Sequence, residues 1–328
     1  MPTPMTPKQR AVEALNRRVP DEVPTFELEF QLEDEMFGHP FDMPEYSYEN
    51  RSKLSAAEQR KLIEKYVEYK SYVYRQLDYC IIPAYSPFCT WDDWEGGRMS
   101  EEYKLFLRLM REAAGGRAML GSHGDCTFAI PDGTHMYDFV YWLADDPDGV
   151  KREAQHSVEV WKRNNAALHE AGIEVSLHCS DYCYNSGPFL SPEMMAEFVT
   201  PYLSQNIANC RADGMFVIKH TDGNIMPILD QLVDANPHAL HSIDPMAGVD
   251  IREVKRLVGD RVALCGNVHC AALQTGTDDE VRESAEYCLT YAKPNGGYIF
   301  CTSNVPFHGM PPERYTMILD IWKKMRGY

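Results

Sequence analysis

The chain has 328 residues, 44% of them hydrophobic, with a formal net charge of −17 and 10 cysteines. That length allows one large α/β unit, while the acidic balance excludes a nucleic-acid tract, which needs a basic stripe to displace counterions. No C-x-x-C pair occurs, no apolar run approaches the roughly 20 residues of a membrane span, and MPTPMTPKQR lacks a signal-peptide core. The expectation is a cytoplasmic protein with free thiols.

In chain order, strand-like apolar runs are predicted at Val23–Phe30, Asp78–Tyr85, Ala118–Asp125 and Glu174–Asp181. Four more follow at Phe216–Gly223, Ala239–Pro245, Val262–Val268 and Gly296–Asn304. Amphipathic segments lie between them. One opens with Ser191-Pro192-Glu193, an N-cap followed by proline at the first helical position. Another opens with Thr277 ahead of Asp278, Asp279 and Glu280, acids suited to the positive end of a helix. Eight strands alternating with helices, with no flexible linker, predict a single (β/α)8 TIM barrel over residues 1–328, with an N-terminal helical extension. The stretch from Phe37 to Leu77 is long for one crossover, and Thr127 to Asp148 reads as a second insertion over the barrel mouth.

The C-terminal ends of barrel strands line the catalytic face. Here they carry Glu27 and Glu29, Tyr85, His123 and Asp125, His178 and Asp181, and His220 and Asp222. His241 and Asp244, Cys265, Asn267 and His269, and Cys301 and Ser303 complete the series. In FVIKHTDGN, Ile218, His220 and Asp222 share a face. If Cys265 and Cys301 also point inward, imidazole, thiolate and carboxylate converge in the mixture that Zn2+ accepts. The candidate metal ligands are therefore His220, Asp222, Cys265 and Cys301. Asp222 either coordinates or orients a ligand from behind, and each buried Cys can equally be a small core residue. His178, Asp181 and His269 are candidates for acid or orienting roles. Tyr85, Tyr182 and Asn267 are candidate substrate contacts, the tyrosines also being suited to packing loops over the mouth.

Over nearly its whole length the chain resembles the uroporphyrinogen decarboxylase superfamily, and more closely its cobamide-dependent methyltransferase branch. The resemblance lies in TPKQRAVEALNRRVPDEVP, SGPFLSPEMMAEFVTPYL, VIKHTDGNIMPILDQLVD, HSIDPMAGVDIREVKRLVGDRVALCGNV and the ending from GGYIFCTSN to PPERYTMILDIWKKMRGY. It implies a (β/α) barrel, in agreement with the strand count. True decarboxylases of the superfamily carry an arginine-rich R-Q-A-G-R stretch for substrate carboxylates. The corresponding PTFELEFQLEDEM is acidic and has no arginine, which argues against that reaction.

The methyltransferases hold zinc with an H-x-C pair at strand five and a later Cys near strand eight. His220 and Cys301 match the first and last positions, and Asp222 replaces the middle Cys. The resemblance thus implies a zinc-dependent transfer of methyl from a small methylated donor, most readily a methoxylated aromatic, to a cob(I)amide. The D-x-H-x-x-G signature of corrinoid modules is absent from the sequence, so the cobalamin-type corrinoid is expected on a separate partner protein. The reverse half-reaction and a non-catalytic tetrapyrrole-binding barrel are the alternatives.

Overall fold

The computed structural model describes residues 4–328. Seven parallel strands are hydrogen-bonded in chain order: β1 (Ile81–Pro83), β2 (Met119–His123), β3 (Val175–His178), β4 (Phe216–His220), β5 (Ala239–Ser242), β6 (Ala263–Val268) and β7 (Tyr298–Thr302). Nearly all their residues are buried, because helices cover one side of the sheet and the barrel interior the other.

The predicted first strand, Val23–Phe30, shrinks to a single parallel bridge between Thr25 and Phe300. Pro24 has no N–H to extend a ladder, yet its carbonyl accepts from Phe300 N at 2.9 Å, and Thr25 O accepts from Cys80 N at 2.8 Å. This extended segment therefore lies between β7 and β1 and occupies the eighth position of the barrel. The fold is the TIM-barrel type of α/β architecture.

The N-terminal helix Pro7–Leu15 is closed by a capping box at Thr6 and Gln9. The long first crossover holds two short helices (Glu33–Phe37 and Tyr48–Arg51), a 3-10 turn (Pro44–Tyr46) and the helix Ala56–Gln76. The insertion after β2 includes a helix, Met136–Asp145, whose Tyr137 and Tyr141 are exposed. Among the described residues, no helix is long and apolar enough to cross a membrane.

Register fixes which side chains face the interior. His178 of β3 pairs with Lys219 of β4, and Leu177 pairs with Ile218. His178 Nε2 reaches Ser176 Oγ at 3.1 Å and lies 3.9 Å from Cys210 Sγ on the helix Thr200–Ala212. Ser176, His178 and Lys219 therefore face the helices, while Leu177, Ile218 and His220 face the barrel.

Candidate metal centre at the barrel mouth

One group of three potential metal ligands forms among the described residues: Asp181, His220 and Asp222, whose ligand atoms lie within 4.8 Å of one another. His220 is the last residue of β4, with Nε2 3.5 Å from Asp181 Oδ1 and 3.7 Å from Asp222 Oδ1. Its other nitrogen, Nδ1, is 2.9 Å from His241 Nδ1. Burial drives His220 down to about 4, the neighbouring carboxylates only partly opposing it. The ring is thus neutral at pH 7, as a metal ligand must be.

Asp222 is held from three sides. Ser242 Oγ donates to Oδ1 at 2.7 Å, Asn304 Nδ2 donates to Oδ2, and its own N–H donates to Asp181 Oδ1 at 2.9 Å. Burial first, and then Asp181 and Asp244, raise its carboxyl to about 7. The turn that carries it needs Gly223, at φ +81°, because a Cβ there would meet Cys183 O at 2.4 Å. Gly223 N in turn donates to Asp244 Oδ2 at 3.1 Å.

Asp181 reaches the mouth because the loop after β3 is pinned from behind. Lys219 Nζ, fully buried, pairs with Asp125 Oδ2 at 2.9 Å and donates to Ser180 O at 2.8 Å. Asp125 also accepts from Ser180 N at 3.0 Å. Burial alone would raise Asp125, but Lys219 brings it well below the usual carboxylate range. Tyr182 N donates to Thr221 Oγ1 at 2.8 Å, tying this loop to the end of β4.

The other predicted residues fall elsewhere. Cys265 and Cys301 are fully buried, both thiols are pushed up by burial, and neither joins a group of three ligand atoms among the described residues. His178 lies in the sheet–helix layer. His269 lines a separate cavity of about 510 Å³ beside the helix Asp278–Tyr291. Asn267 is tied to Ile243 O at 2.7 Å and to Cys288 Sγ. Tyr182 is buried beneath Lys219, whose Nζ is 4.0 Å from the ring centroid. Tyr85 is half-buried and stacks on His123 with ring centroids 4.1 Å apart. Sequence reasoning missed Ser242 and Asn304, since nothing local marks a hydroxyl or amide as the support of a distant carboxylate.

The family model for uroporphyrinogen decarboxylase (URO-D) matches residues 126–325. The chain belongs to the uroporphyrinogen decarboxylase family. Among solved structures, a methyltransferase from Methanosarcina mazei is similar at TM-score 0.71 and 16% identity, covering 98% of this chain and 99% of that one. An α-galactosidase from Saccharomyces cerevisiae, with raffinose, reaches TM-score 0.49 at 9% identity, covering 98% of this chain and 67% of that one. A search of curated protein sequences finds no match. At these identities the structural likeness speaks for the fold; the family rests on the sequence match.

Proposed function

We propose that the chain is a zinc-dependent corrinoid methyltransferase, moving a methyl group from a small methylated donor, most readily a methoxylated aromatic, to a cob(I)amide on a separate corrinoid protein. The observation that carries this reading is the Asp181–His220–Asp222 group at the barrel mouth, in a family member whose fold is shared with a methyltransferase. One imidazole and two carboxylates suit zinc or a harder divalent cation. The donor atoms also converge: His220 Nε2 faces both carboxylates, while its Nδ1 is engaged by His241.

Demethylating an ether breaks a C–O bond and leaves the electron pair on oxygen. Zinc at this site would supply Lewis acidity toward that oxygen. The chain's own residues seat the donor and keep the site fixed. Ser242 and Asn304 hold Asp222, the Lys219–Asp125 pair fixes the loop of Asp181, and the Tyr85–His123 stack walls the mouth. Tyr184, Met226 and Met246, in the loops after β3, β4 and β5, are exposed and give a partner an apolar rim to dock on.

The test is the purified zinc-loaded protein with cob(I)alamin and a panel of methoxylated aromatics, followed by visible spectroscopy. Wild type is expected to produce the methylcobalamin spectrum and His220→Ala is not. An unchanged cob(I)alamin spectrum across the whole panel would refute the donor assigned here.

A further inference from the structure

Next to the mouth lies a second cavity, of about 260 Å³, lined by Glu29, Glu33, Lys70 and Tyr85 among others. Its volume is just below the roughly 300–1,000 Å³ of pockets for drug-sized ligands, so it suits a single ring. Three buried polar groups here are incompletely used. Glu33 is 4% exposed; its Oε1 accepts from Phe41 N at 3.0 Å, but Oε2 has no partner. Tyr85 Oη is likewise buried without a partner. Lys70, 3% exposed, spends one N–H on Tyr85 O at 2.6 Å. Its ammonium otherwise lies over the rings of Phe41, Tyr66 and Tyr74, at 4.6, 5.6 and 5.5 Å from their centroids.

Buried polar atoms left unsatisfied are destabilising, so groups of this kind around a cavity point to a ligand that completes them. The charges say which. Glu29, Glu33 and Asp42 line the cavity with one lysine and His308, an acidic excess that opposes a carboxylate. The lysine opposes a second cation. A neutral hydroxyl has the chemistry both orphans call for, since it can donate to a carboxylate oxygen such as Glu33 Oε2 and accept from a donor such as Tyr85 Oη. We infer that this cavity is a binding subsite for a phenol-type ligand, a single neutral ring bearing hydroxyl.

Tyr85 links the subsite to the metal group. One of its faces stacks on His123, the last residue of β2, at the same end of the barrel as His220. That the ligand is the substrate's ring rests on the methyl-transfer reading; that the cavity takes a phenol does not.

Calorimetric titration of the full chain with phenol, benzene and benzoate, without metal or corrinoid, separates the two. Wild type is expected to bind phenol more tightly than either benzene or benzoate. Glu33→Gln and Tyr85→Phe should each weaken phenol about tenfold, the equivalent of about 1.4 kcal/mol, and leave benzene unchanged. Circular dichroism checks both folds, and Tyr85→Phe, which removes one oxygen, decides the matter if Glu33→Gln does not fold. Equal phenol affinity in wild type and Tyr85→Phe, benzoate binding tighter than phenol, or no phenol binding at all would overturn the assignment. Because no methyl donor is present, these outcomes are independent of whether methyl transfer occurs.

Discussion

His220 Nδ1 and His241 Nδ1 stand 2.9 Å apart at the ends of neighbouring strands, in register with each other. Burial lowers both rings' affinity for protons, so the contact is an N–H···N bond between neutral imidazoles. When His220 donates, its Nε2 carries the lone pair that faces Asp181 and Asp222. That is the tautomer a metal needs, and His241 Nδ1 is placed to accept the His220 proton in it.

His241→Phe is therefore predicted to weaken metal binding by about 10–100-fold, the range for losing a group that orients a ligand, with the barrel intact. His220→Ala should lose the metal while remaining folded. Metal content after gel filtration, read beside far-ultraviolet circular dichroism, checks both. Full metal occupancy in His220→Ala would remove it from the ligand set.

Asn304 and Ser242 act on Asp222 from outside the ligand set. Asn304→Ala is predicted to lower metal affinity by about tenfold or more, with a global stability change near 1 kcal/mol. Competition against a chromogenic chelator measures the first and urea unfolding the second.

These supports show where the sequence stops being readable. The strand count and the polarity of the strand ends were legible, because apolar runs and chemistry-bearing exits recur in period. The length of the first strand was overestimated, since an apolar run does not reveal that beyond the Thr25–Phe300 bridge Thr302 N turns to the Glu27 carboxylate instead of a backbone carbonyl. Facing was the harder problem. Strands buried on both sides have no polar alternation to count, so His178 looked as eligible as His220, and only register shows that it faces Cys210 and the helices. Asp181 was read as an acid or orienting residue rather than a ligand; its place beside His220 depends on Lys219 and Asp125, whose positions are 94 residues apart. Lys70 and Glu33 come from the long crossover, where no periodicity locates a side chain against a distant loop.

The Lys219–Asp125 pair is fully desolvated on the lysine side. Removing one partner, as in Asp125→Asn or Lys219→Met, is predicted to cost about 3–5 kcal/mol by stranding the other charge. The double variant should cost less than the sum of the two. Equilibrium urea unfolding of the three proteins gives the comparison, and simple additivity would show that the two groups do not interact.

Glu27 predicts a pH dependence. It is buried, and burial raises its carboxyl to about 8 despite hydrogen bonds from Thr302 and Tyr315. The folded state therefore holds its proton more tightly than the unfolded chain does. Its contribution to stability is complete below the ordinary value of 4.5, fades as pH rises toward about 8, and is absent above that. Subtracting the unfolding free energy of Glu27→Gln from that of wild type should leave a difference that falls across this window. A difference that is flat with pH would mean that Glu27 is ionised in the folded state.

The metal group of Asp181, His220 and Asp222 carries the functional account, and zinc-edge X-ray absorption of the zinc-loaded protein tests it most directly. The expected spectrum has nitrogen and oxygen neighbours only, at about 2.0–2.2 Å, with no sulfur, and is unchanged by Cys265→Ser or Cys301→Ser. A sulfur neighbour near about 2.3 Å that disappears in either cysteine variant would contradict it, and would place the metal deeper in the barrel, against β6 or β7.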